Sequence, residues 1–237
     1  VGGEVHLGGA GSDRLDLLVD HVDHGRGFAI LLGPLHVNAD DERGSITRED
    51  GKVLLQNGPL IPKALWASGI RVVGVANDHA LDLGSESAGQ TMAVRKMQGL
   101  DTAGGPAGPA TYIDGNIRIA ITQHHLPDGP LNPDVAEALS AAANDSDLHV
   151  ATFHVAKWPE GAPTPPVLTA AVEAAIGAGA NVIAAHGGGN VGPVERRGNV
   201  PIAWNLGPLA TDRSDDKPTA SAPVSYTHLT LPTSELV

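Results

Sequence analysis

Four side chains able to ligate a metal or move a proton fall within six residues at Asn77, Asp78, His79 and Asp82. They follow directly on the apolar run Val72, Val73 and Val75. That order reads as a strand buried on both faces running into a functional loop. Two more apolar runs end in a histidine, Leu148–Phe153 at His154 and Val182–Ala185 at His186. Imidazole suits zinc, manganese or iron, and carboxylates from Asp78, Asp82 and Glu4 could complete such a site. Sheet topology is what would bring three strand ends together, because sites in α/β sheets collect at strand ends. The plainer alternative is that these are hydrogen-bonded, non-ligating histidines, with eleven in the chain. Likewise Asn77 and Asp78 could only cap loop amides, and His79 could only orient a neighbour.

The elements that must position these groups alternate strand with helix. Val1–Leu7 and Phe28–Leu32 read as strands, Asp13–Val22 as a helix and Asn38–Gly51 as an exposed loop. Pro59 opens a helix that Gly69 stops, before the strand Ile70–Val75. Ser87-x-x-Gln90 marks a capping box for a helix ending near Gly99, and Thr102–Pro109 reads as a turn region. Thr111–Ile113 and Ile117–Ile121 read as a hairpin turned at Asp114-Gly115-Asn116. Pro133–Ala143 and Pro166–Ile176 follow as helices, with Ile202–Asn205 as the last strand. The alternation predicts an α/β domain with parallel or mixed sheet. His21, His24, His124 and His125 read as surface histidines, and Trp158 and Trp204 as packing residues.

Composition narrows the function classes. The 237 residues suit one large domain or two small ones, and 30 Gly with 18 Pro indicate a loop-rich globular protein. Twenty-seven acidic against fifteen basic residues give a net charge of −12. With no Lys/Arg cluster to track phosphates, nucleic acid is not an expected partner. The absence of cysteine excludes disulfides and thiolate metal sites. No apolar run reaches the roughly 18–20 residues that span a bilayer. The chain opens at Val1 inside a strand pattern, so a leader or anchor is expected to be missing from it. Val224–Thr233, VSYTHLTLPT, resembles one reading frame of a transposase adapter used in sequencing libraries. Residues 224–237 are therefore read as a non-native tail and residues 1–223 as one domain, truncated at both ends.

Gly3–Gly8 (GEVHLG), Ile30–Leu35 (ILLGPL), Ala76–Gly84 (ANDHALDLG), His154 with Trp158, Gly179–Glu195 (GANVIAAHGGGNVGPVE) and Ile202–Leu209 (IAWNLGPL) occur in that order. The set resembles the CapA-type capsule and poly-γ-glutamate synthesis proteins, a bacterial branch of the metallophosphatase-like, calcineurin-like fold. The resemblance runs with gaps over about Gly2–Asp212 and implies a four-layer α-β-β-α sandwich with mixed sheets. It implies a metal-dependent hydrolase of the phosphoesterase kind, with His79 as general acid beside Asp78. It also implies a divalent metal, Mn, Fe or Zn, on Glu4, Asp78, His154 and His186. In such sites two metals about 4 Å apart activate a water and hold the phosphoryl oxygens. Several positions depart from the family pattern. Glu4 stands for Asp, Asp78 for Asn, and Leu32 for an acidic ligand; Gly187, Gly188 and Gly189 replace all but His186 of a four-residue His-rich run, and Pro208 replaces an Asn. The departures imply a partly lost metal site, or a glycine nest for an anion at 187–189. The resemblance implies work on a capsular polymer or a small phosphoester, outside the cytoplasm or at the cell envelope. The alternative is a non-catalytic relative that binds a polymer or a partner protein on the same fold.

Overall fold

The computed structural model describes residues 69–211 apart from Leu83, Lys157, Glu160 and Gly189. Before these it describes strands β1 (Glu4–His6), β2 (Ala29–Leu32), β3 (Ser45–Thr47), β4 (Val53–Leu55) and helix α1 (Ile61–Ala67). The helix expected over Asp13–Val22, His21, His24 and the tail beyond residue 211 lie outside the described residues. From there on come β5 (Ile70–Gly74), α2 (Gly84–Met97), β6 (Asp101–Ala103), β7 (Ala110–Asp114), β8 (Ile117–Leu126) and α3 (Pro133–Asn144). The chain continues with β9 (Leu148–Val155), α4 (Pro166–Gly177), β10 (Val182–His186), β11 (Val194–Arg197), β12 (Val200–Ala203) and β13 (Pro208–Thr211).

The architecture is mixed α/β, as the alternation predicts. A six-stranded sheet runs in the order β11-β12-β10-β9-β8-β7, and a three-stranded sheet in the order β2-β5-β6. In the larger sheet β8, β9, β10 and β12 are parallel, while the outer strands β7 and β11 run antiparallel to their neighbours. Strand β1 pairs in parallel with β13, and β3 with β4 in an antiparallel pair.

Local chemistry explains the elements. Helix α3 starts where Asn132 Oδ1 accepts the Asp134 amide at 3.0 Å, with Pro133 at the first helical position. In α4, Leu168, Ala171, Val172 and Ala175 recur at helical spacing and are fully buried. These two helices cover one face of the large sheet, where their apolar side chains meet Phe153, Ala151, Ile183 and Ile202. Burying one such large side chain stabilises the fold by about 1.5–3 kcal/mol. On the opposite face Ile119, Ile121, Leu148, Ala184 and Ala203 pack with Val72 and Ala103 of the small sheet. The two sheets therefore share a core between them.

Four boundaries differ from the sequence expectation. Strand β6 occupies the start of the region read as a turn, because Asp101–Ala103 extends the small sheet by pairing with Val72–Gly74. Strand β3 forms inside the segment read as an exposed loop. Helix α2 begins at Gly84, a turn before the capping-box serine. Strand β8 runs on through Leu126 rather than stopping at Ile121, since β9 pairs with it along its length.

Candidate functional site

Parallel pairing brings the histidines together. His125 of β8 is level with His154 of β9, and His154 with His186 of β10. Residues level across neighbouring strands share a sheet face, and alternation puts Gln123 and His125 on the same face. That face is the one which carries the inter-sheet core, so the apolar core gives way to polar groups at the strands' C-terminal ends. The loop after β5 supplies the rest. Asn77, 5% exposed, accepts the His79 amide at 3.0 Å through its side chain, which folds Asn77–Asp82 into consecutive turns. This is the capping role considered for Asn77; Asp78 has another.

Asp78 Oδ1 lies 2.7 Å from His154 Nε2, and its Oδ2 lies 3.8 Å from His79 Nε2. His79 Nδ1 stands 2.8 Å from Asp82 Oδ2, whose side chain is 2% exposed. His154 Nδ1 meets His186 Nδ1 at 3.2 Å, and His186 Nε2 meets Gln123 Nε2 at 3.0 Å. Gln123 Oε1 accepts the Ala76 amide at 2.7 Å, which links the large sheet back to the loop. Burial pushes the Asp78 carboxyl up, but the hydrogen bond from His154 and the nearby His154 and His79 charges outweigh it. The net effect holds Asp78 below the usual carboxylate range. His125, with its ring 5.6 Å from that of His154, is pushed down by burial and by the His154 charge, with Asp78 opposing.

One fixed donor orders the whole chain of bonds. A backbone N–H can only donate, so Gln123 must present its oxygen to Ala76 and its amide NH2 to His186. His186 Nε2 then carries a lone pair and its Nδ1 the proton. His154 Nδ1 accepts that proton's bond, and His154 Nε2–H donates to Asp78. Each of the four contacts has one donor and one acceptor when both imidazoles are neutral; the His154 charge that acts on Asp78 and His125 is that of the ring once it is protonated.

This arrangement bears on the metal that the fold resemblance implies. Two Nδ1 ligands on one ion would both need lone pairs there, which would put the His186 proton on Nε2 against the Gln123 amide. Among the described residues no group of three or more His, Asp or Glu side chains converges as a metal site. The residues present do not fit a metal held by His154 and His186. Glu4 lies in β1, where only the backbone is described, and the same holds for Leu32 of β2, whose backbone pairs with Gly74. Gly187 has a φ of +114°, and a Cβ there would collide with the Val155 carbonyl oxygen. A histidine cannot stand at that position without moving β9.

Gln123 and His125 are absent from the site that the sequence suggests. The signal is present: Ile119, Ile121, Gln123 and His125 continue one alternating face of a strand. His124 and His125 are half-buried, not the surface histidines expected, and burial pushes the His124 ring down as well. Trp204 is 6% exposed in the core and Trp158 packs beside it, as read.

Comparison with known proteins finds similarity to part of the sequence and to the fold. Residues 39–122, which hold β5 and the Asn77–Asp82 loop, match the family described as bacterial capsule synthesis protein PGA_cap. Over that stretch, about a third of its length, the chain is similar to the CapA-type capsule synthesis proteins. No curated protein matches it. Among solved structures, a hypothetical protein from Thermus thermophilus is similar in fold, with a TM-score of 0.57 at 14% identity. That similarity covers 90% of this chain and 77% of the other. Among the described residues no helix is long and apolar enough to cross a membrane.

Proposed function

We propose that this chain makes or processes a bacterial capsular polymer of the poly-γ-glutamate kind, as a hydrolase centred on Asp78 and His79. The framework in this proposal is one domain over residues 1–223, built as a four-layer α-β-β-α metallophosphatase-like sandwich. The match to capsule synthesis proteins over the functional loop supports the biological setting. The observation that carries the chemistry is the His79–Asp82 contact of 2.8 Å beside Asp78. His79 and Asp78 have side chains 29% and 36% exposed, whereas His154 and His186 are 3% and 0% exposed. A substrate can therefore touch the first pair and not the second.

The roles follow from position. Asp82 accepts from His79 Nδ1 and fixes the ring, so that Nε2 faces the reacting bond on the Asp78 side. A water held by the ionised Asp78 attacks the phosphoryl or acyl centre and gives its proton to that carboxylate. As the bond to the leaving group breaks, protonated His79 delivers the Nε2 proton to the departing atom. Proton transfer by a positioned side chain is typically worth about 10²–10⁴-fold in rate. His154 Nε2–H holds the far oxygen of Asp78, so it positions the carboxylate and does not meet substrate.

The test is hydrolysis of bis-p-nitrophenyl phosphate and of poly-γ-glutamate, in EDTA, by wild type and by His79→Asn. Turnover of either substrate, reduced about 10²-fold or more in a variant with unchanged circular dichroism, is the expected result. Equal rates in the two proteins, or no hydrolysis by wild type, would overturn the hydrolase reading and leave a binding protein on the same fold.

A further inference from the structure

We infer that Gln123 is a positioning residue that locks the His154–His186 pair in a hydrogen-bonded, metal-excluding form. The inference rests on the contacts of the site and is independent of the hydrolase reading. Gln123 is 1% exposed and bridges the Ala76 amide, at the start of the loop after β5, to the His186 ring at the end of β10. The fold makes room for it at two glycines. A Cβ on Gly74 would lie 2.5 Å from Gln123 Cδ, and one on Gly104, where φ is +93°, would lie 2.6 Å from the Gln123 carbonyl oxygen. Close approach of the two sheets thus depends on the absence of side chains opposite Gln123.

Spacing alone would not exclude a metal. Two nitrogens each about 2.0–2.1 Å from one zinc ion at the tetrahedral angle stand roughly 3.3 Å apart. The His154 and His186 Nδ1 atoms are already 3.2 Å apart. What excludes the ion is the proton on His186 Nδ1, and that proton is placed by the Gln123 amide. A carboxylate at position 123 reverses the instruction. It would still accept from Ala76, but its second oxygen would draw the His186 proton to Nε2. Asp78 keeps the His154 proton on Nε2, so two lone pairs would then face each other at the spacing of a zinc ligand pair. Carboxylates that accept from the far nitrogen of a ligating histidine commonly fix its ring in this way.

The experiment pairs nitrogen-15 NMR of the imidazoles with zinc and manganese stoichiometry after dialysis, on wild type, Gln123→Glu and Gln123→Glu/His154→Ala. Wild type is expected to show His186 protonated at Nδ1 and His154 at Nε2, with no metal retained. Gln123→Glu is expected to move the His186 proton to Nε2 and retain about one equivalent of zinc, lost again in the double variant. If wild type retains an equivalent of metal, or if its His186 carries the proton on Nε2, the inference is wrong. A folded Gln123→Glu protein that binds no more zinc than wild type would also overturn it. The wild-type tautomers decide the matter by themselves if the variant does not fold.

Discussion

Acid should weaken this protein well before its carboxylates titrate, and His149 is the reason. Its ring, 1% exposed, sits on β9 on the helix-covered face, five residues before His154. His149 Nε2 meets the Thr122 hydroxyl at 2.9 Å, and Nδ1 has no hydrogen-bond partner among the described residues. Burial, and secondarily the charge of His124, push this histidine from its ordinary 6.5 down to about 4. A histidine depressed in the fold is protonated first in the unfolded chain. Its contribution is therefore intact above pH 6.5, is lost as pH falls towards 4, and changes little below that. Each pKa unit corresponds to about 1.36 kcal/mol, so the full loss is roughly 3 kcal/mol, of which about 2 kcal/mol is gone by pH 5. That is a large fraction of the 5–15 kcal/mol typical of a domain. Urea unfolding at pH 7, 6, 5 and 4.5 on wild type and His149→Leu measures it. His124 and His125 are also depressed by burial and add slope of the same sign to both proteins. The difference between the two proteins isolates His149. If His149→Leu loses stability between pH 7 and 4.5 as steeply as wild type, the reasoning fails.

Two glycines and one carboxylate give further predictions. Gly74→Ala, whose Cβ would press on Gln123, should cost about 1–3 kcal/mol in urea unfolding, and an unchanged midpoint would contradict the close approach of the two sheets. Gly187→Ala combines a φ of +114° with a clash against the backbone of β9, and should cost at least as much; full stability there would mean the loop has another course. Asp78 is held below its ordinary 3.8, so the stability it adds is present above pH 3.8 and lost only as pH falls through its lower folded value. Carbon-13 NMR of its carboxyl should give a midpoint under 3.8, and one above that value would contradict the hydrogen bond from His154.

How far the sequence can be read depends on whether a signal is local. The strand Ile70–Gly74 and its loop are plain because the apolar run and the four polar residues are contiguous. Helices α3 and α4 are plain because proline marks each first turn and the apolar positions recur at helical spacing. Three histidines at strand ends are visible, but which strands are neighbours depends on pairing over long separations. Strand β8 reads as ending early because Thr122, Gln123, His124 and His125 look like a polar loop until β9 is seen beside them. Residue type suggests His154 and His186 as ligands. Only the position of Gln123 between Ala76 and His186 shows how their protons are arranged.

The central claim is that His79, aimed by Asp82, moves the proton at a hydrolytic site. A double-mutant cycle on hydrolysis tests it most directly, using wild type, His79→Asn, Asp82→Asn and the double variant, all shown to be folded. Because Asp82 acts through His79, each single change should lower kcat, and the double variant should be no slower than His79→Asn alone. A double variant slowed by the product of the two single effects, or a wild type without turnover, would contradict the account.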